Sequence, residues 1–151
     1  MKKMISIKRF LTGICVVGLV LGFGIRAQAN PFLHSIREQL QLVARTLGWD
    51  GYRLSHEPFT GVLRQGETDW IAIRLRSGIE YVIIAVCDQD CRDIDLRLYD
   101  ENGYLIDDDL ALDDVPVVTA IPRRTVTFQI EVIMSRCRTR DCVYGVGAFA
   151  R

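Results

Sequence analysis

From Trp70 onward the apolar residues of this chain recur at every second position, in short runs broken by turn residues, and this spacing restricts the fold more than any other feature. Trp70 to Arg76 places Ile71, Ile73 and Leu75 on one face, Ser77-Gly78 turns, and Ile79 to Cys87 is almost continuously apolar. Such a run is expected of a central strand covered on both faces. Asp93 to Tyr99 alternates again, with Ile94, Leu96 and Leu98 inward and Asp93, Asp95 and Arg97 outward. Asp100-Glu101-Asn102-Gly103 has the composition of a hairpin turn. Tyr104 to Asp107, Val115 to Ile121, Thr125 to Met134 and Val143 to Phe149 supply further strands. About seven or eight short strands with regular turn signals predict a mainly β domain, an antiparallel β-sandwich over residues 67–151.

The chain before this region has a different period. Phe32, Leu33, Ile36, Leu40, Val43 and Leu47 form one helical stripe, with Asn30-Pro31 as a start signal and Gly48 as a stop, so residues 30–50 are expected to form one amphipathic helix. Its stripe can dock on the sandwich or on a partner. Residues 51–66 are polar and punctuated by Gly and Pro, and are expected to be a connector. Earlier still, Lys2, Lys3, Lys8 and Arg9 precede the apolar run Phe10 to Ile25 and the small-x-small triplet Ala27-Gln28-Ala29. That order is the order of a secretory signal peptide, expected over residues 1–29, with no integral membrane anchor after cleavage. The run is shorter than the ~20 apolar residues of a spanning helix and is interrupted by glycines.

With 19 Lys+Arg against 19 Asp+Glu the 151-residue chain is formally neutral, but the expected leader carries five of the cations and none of the acids. The remainder has 14 Arg against 19 acids, which makes nucleic acid an unsuitable partner. An exported chain also gives its cysteines a meaning. Four remain after the leader, in the close pairs Cys87/Cys91 and Cys137/Cys142, and local disulfides within each pair are expected. A structural zinc built from the four sulfurs is the rival reading, with spacings wider than the usual knuckle.

Acid density is highest between Asp88 and Asp114, where 11 of 27 residues are acidic and only Arg92 and Arg97 oppose them. Clustered carboxylates attract a hard cation, and Ca²⁺ prefers several oxygen ligands. Asp88, Asp90, Asp93, Asp95, Asp107, Asp108, Asp109, Asp113 and Asp114 are therefore the candidate calcium ligands, although no EF-hand spacing is present. The plainer alternative is a solvated rim that blunts strand edges and keeps the protein soluble. No cofactor is otherwise required. His34 and His56 stand in no nucleophile motif, and Gly145-x-Gly147 lies within a strand pattern, where it permits close backbone approach rather than phosphate binding. Trp70 and Tyr99 fall on the outward register of their strands, which leaves a sugar-binding aromatic face open to the fold, with burial in the second sheet's packing or under the helix as the commoner alternative.

Several of these segments together resemble a family. Gly78-x-x-Tyr81, the run into Cys87, Asp93-Ile94-Asp95-Leu96-x-Leu98-Tyr99-Asp100-x-Asn102-Gly103, Asp113-Asp114-x-Pro116 and Thr125-x-Thr127-Phe128-x-Ile130-x-Val132 are similar to the bacterial pre-peptidase C-terminal domain. The resemblance implies a jelly-roll-like β-sandwich acting as a non-catalytic accessory domain of exported proteins, in some members binding polymeric substrate or calcium. No peptidase accompanies it here, and the cysteine pairs and the helix lie outside the family's minimal pattern. The expected function is that of an exported, periplasmic or extracellular binding domain of the cell envelope, with a polysaccharide, an envelope component or another exported protein as its partner. A calcium-stabilised structural or adhesion module is the alternative, and a hydrolase using an acidic pair is the third.

Overall fold

The alternation seen in the sequence resolves into two antiparallel sheets. The computed structural model describes residues 31–151, and the expected leader over residues 1–29 lies outside them. Helix α1 (Pro31–Gly48) is followed by β1 (Arg53–Leu54), β2 (Phe59–Leu63), β3 (Thr68–Leu75), β4 (Tyr81–Cys87), β5 (Cys91–Tyr99), β6 (Leu105–Asp109), β7 (Val117–Ala120), β8 (Val126–Cys137) and β9 (Cys142–Ala150). One sheet has the order β1-β9-β4-β7, with β2 continuing along the same edge of β9 as β1; the other has the order β3-β8-β5-β6. The fold is thus the expected mainly β sandwich with one preceding helix.

The connector expected over residues 51–66 is not a connector. β1 and β2 lie within it and pair with β9, from Arg53 opposite Ala150 to Leu63 opposite Cys142. Pro58 just before β2 and Gly61 within it disguise an edge strand.

Period-two alternation fills the space between the sheets. Ile71, Ile73 and Leu75 from β3, Ile94, Leu96 and Leu98 from β5, and Ile130, Val132 and Met134 from β8 meet Tyr81, Ile83 and Ala85 of β4 and Tyr144, Val146 and Ala148 of β9. The other side of β4 is also buried, because Val82, Ile84 and Val86 face Ile36 and Leu40 of α1. This second layer explains why the β4 sequence reads as a continuous apolar run. The helix docks on its own sandwich, covering the outer face of the five-stranded sheet.

Close docking depends on β9. Gly145 and Gly147 stand on its helix-facing side, where a Cβ on Gly145 would overlap Ile36 Cγ2 and approach Leu40 Cδ1 to 3.2 Å, and one on Gly147 would approach Leu40 Cδ2 to 3.2 Å. The two glycines together form a bed for one turn of helix. Gln39 adds a polar tie, donating from Nε2 to the Cys87 carbonyl at 2.9 Å.

Both disulfides are local. Cys87 is joined to Cys91 and Cys137 to Cys142. Each spans a crossover between the sheets, and Cys91 lies opposite Cys137 in the β5/β8 pairing, so the two staples sit side by side at one end of the sandwich. Loops this short contribute about 2 kcal/mol each by the chain-entropy estimate.

Candidate functional site

With the helix on one sheet, the outer face of the four-stranded sheet is the open one. Outward positions of β3, β8 and β5 align there: Trp70 is opposite Glu131, and Glu131 is opposite Arg97. Tyr99, two residues along β5, leans toward Trp70 with ring centroids 5.6 Å apart and planes tilted by 39°. Its phenol donates to Glu131 Oε2 at 2.9 Å, and Arg97 Nη1 reaches the same oxygen at 3.3 Å. Burial, and then the bond to Glu131, hold the Tyr99 phenol above its ordinary pKa, so it remains a donor. Glu131, bonded to Arg97, likewise raises the arginine further and keeps it cationic. Trp70 is 54% exposed despite lying on the edge strand of a packed sheet. The result is a fixed aromatic pair with a carboxylate and a guanidinium beside it, all supported on rigid strands.

The alternation placed Trp70 and Tyr99 outward, and the structure adds that they meet. Glu131 was not singled out by the sequence. Its outward register is readable between Ile130 and Val132, but its role depends on the pairing of three strands distant in sequence.

The nine candidate calcium ligands fall in the β4–β5 turn, on β5, on β6 and in the loop after β6. Among the described residues, no three His, Cys, Asp or Glu side chains are grouped so as to hold a metal ion. Asp88 is buried in the β4–β5 turn, where Oδ1 accepts from the Asp90 and Cys91 amides at 3.0 and 3.2 Å and Oδ2 accepts from the Val143 amide at 2.6 Å. Asp90 lies in the same turn, its carbonyl bonded to the Arg138 amide at 2.8 Å.

Asp107 and Asp109 on β6 reach across to the adjoining edge of the other sheet. Asp107 Oδ2 accepts from the Thr119 amide at 2.7 Å, and Asp109 Oδ2 from the Val117 amide at 2.9 Å. These carboxylates stand in for the missing neighbour of β7 and close that edge of the sandwich. Asp108 is exposed between them. Asp113 caps its own loop, accepting from the Val115 amide at 3.0 Å, and Asp114 is exposed beside it. Several of these acids are therefore backbone acceptors, a use that neither the calcium reading nor the solvated rim anticipates.

Asp93 and Asp95 stand outward in register but are not solvated: they are 4% and 9% exposed. Irregularities in the β5/β8 pairing at these residues turn them out of line with the regular strand. Ser135 Oγ donates to Asp95, while Asp93 Oδ1 has no hydrogen-bond partner. Burial raises the Asp93 pKa, Asp95 and Asp113 add to this, and Arg136 opposes it. The folded chain therefore keeps a proton on Asp93 at pH values where the unfolded chain has released it. The corresponding stability is present below the unfolded pKa and is lost as pH rises through the folded one. Asp93→Asn should raise neutral-pH stability by about 1 kcal/mol and flatten this part of the profile. Thermal melts from acidic to neutral pH check it, and an unchanged slope would show that Asp93 does not titrate in this way.

No family model matches the chain, and no curated protein matches it. Among solved structures the chain is similar to the pre-peptidase C-terminal domain of collagenase from Bacillus anthracis, with a TM-score of 0.48 and 15% identity. That similarity covers 61% of this chain and 87% of the other. The likeness concerns fold only. Among the described residues, no helix is long and apolar enough to cross a membrane.

Proposed function

We propose that this protein is an exported, non-catalytic binding domain of the cell envelope that takes a polysaccharide on the outer face of its four-stranded sheet. The observation that carries this reading is the Trp70 and Tyr99 pair held beside Glu131 and Arg97. A pyranose ring presents an apolar C–H face and a rim of hydroxyls. The aromatic rings take the first, while a carboxylate acceptor and a guanidinium donor take the second. An exposed strand surface without an enclosing pocket suits an extended polymer better than a small molecule. Export is supported by the leader-like N-terminus and by the paired cysteines, which persist in oxidising compartments.

Binding to a panel of soluble and insoluble envelope polysaccharides tests this function. Trp70→Ala is expected to weaken a retained glycan by about 30-fold, the loss typical of a central aromatic contact, without a matching loss of stability. Retention that is the same for the wild type and Trp70→Ala would reject the assignment.

A calcium-stabilised module remains the second reading because one observation favours it, the buried and unpartnered Asp93 Oδ1. A saturable rise in Tm specific to Ca²⁺ over Mg²⁺, absent in Asp93→Asn, would establish it. No rise would leave the acids as backbone acceptors and surface charge.

A further inference from the structure

At the end of the sandwich opposite the disulfides, the ends of β3, β4 and β9, the segment after β1 and Thr125 before β8 line a cleft of 570 Å³. Its polar lining consists of Arg74, Arg76, Arg151, His56, Ser55, Tyr81 and Thr125, with no acid among the lining residues. In a chain otherwise rich in acids this is a concentration of one sign of charge. Arg151 is partly neutralised, since its Nε donates to Glu80 Oε2 at 2.8 Å. The guanidiniums of Arg74 and Arg76 take part in no ion pair among the described residues.

The walls of the cleft are held in place. His56 Nε2 bonds the Arg74 carbonyl at 3.1 Å, its Nδ1 bonds Ser55 Oγ at 2.9 Å, and the Arg76 amide donates to the Tyr81 phenol at 3.0 Å. Two arginines without an ion-pair partner on the lining of one cleft leave cationic charge there that an anion would balance. A planar guanidinium matches a carboxylate or phosphate with two parallel hydrogen bonds.

The geometry points to an oxyanion-binding site in this cleft, seating a carboxylate or phosphate group on Arg74 and Arg76 with the Thr125 hydroxyl as a further donor. The site stands apart from the aromatic pair, yet Trp70 and Arg74 are both outward on β3, about 13 Å apart along the strand. A free anion can fill it. So can an acidic group carried by a glycan that also lies on Trp70, and this second source alone rests on the polysaccharide reading.

The arginine Nε–H resonances of the ¹⁵N-labelled protein report the site directly, titrated separately with inorganic phosphate, an oligogalacturonate and a neutral cello-oligosaccharide. Phosphate and oligogalacturonate are expected to move the Arg74 and Arg76 signals, with the shifts weakened by added salt. Arg74→Gln/Arg76→Gln is expected to bind neither anion in the cleft. Oligogalacturonate binding at least about tenfold tighter than phosphate, with the advantage lost in Trp70→Ala, identifies a glycan-borne acid. Equal affinities identify a free anion. If neither sugar moves Trp70 while phosphate still moves Arg74 and Arg76, the polysaccharide reading fails and the oxyanion site stands. The site is overturned if neither anion moves these signals at millimolar concentration, or if the double variant binds both as the wild type does.

Discussion

Gly145→Ala is expected to lower stability by about 2 to 3 kcal/mol, although it adds a single methyl group in the middle of a strand. The added Cβ would occupy the volume of Ile36 Cγ2, and Ile36 is fully buried. The helix must then lift from the sheet. Lifting uncovers Val82, Ile84, Val86, Val143 and Phe149, which form one apolar surface beneath it. Denaturant unfolding of the single variant and of Gly145→Ala/Ile36→Ala measures the effect. Truncating Ile36 makes space for the new methyl, so the double variant should lose less than the two single losses added together. A Gly145→Ala change within ~0.5 kcal/mol of the wild type would show that the helix is not pressed onto β9 at this position.

A loss of similar size is expected for Asp88→Asn, from a different cause. All three hydrogen bonds of the Asp88 carboxylate are accepted from backbone amides, two in its own turn and one from Val143 on β9. An asparagine keeps one acceptor oxygen and presents an NH₂ group to the remaining amide. At least one buried N–H then faces a donor, which costs about 2 to 3 kcal/mol. The turn closes the Cys87 to Cys91 loop and touches the start of β9, so the lesion falls where both staples join the sheets. Melts in EDTA and in excess calcium should show the same deficit in both conditions, because the partners of Asp88 are amides. A deficit seen only with calcium present would instead make Asp88 a metal ligand.

Local period was enough to read most of the fold. Each strand after Trp70 lies within a few residues of its expected span, because alternating burial in a two-sheet fold leaves a clear imprint on one-sided strands. β4 was readable for the opposite reason, as a run without polar residues, and its two covers are now identified as the sandwich core and α1. β1 and β2 were missed. A two-residue strand carries no period, and β2 contains Gly61 next to a Pro-led approach, so its turn signals outweighed the alternation of Phe59 and Leu63.

The acidic segment shows where composition stops being informative. A run of aspartates looks alike whether the oxygens face water, a cation or backbone amides, and only pairing across the sheets assigns Asp107 to Thr119 and Asp109 to Val117. The outward register of Asp93 and Asp95 was readable, but their burial was not, because it follows from irregular pairing with β8. In the candidate site the sequence supplied Trp70 and Tyr99 separately. Bringing them to 5.6 Å, with Glu131 and Arg97 alongside, required the order β3-β8-β5, which no local signal encodes.

The two tryptophans provide the most direct test of the binding face. Trp70 stands on the proposed surface, while Trp49 follows the helix on the other side of the molecule and is 91% exposed. Their indole N–H signals in a ¹⁵N correlation spectrum can be followed as a retained oligosaccharide is added. The account predicts that the Trp70 signal moves saturably and the Trp49 signal stays in place. Binding that moves Trp49, or leaves Trp70 unchanged, would contradict it.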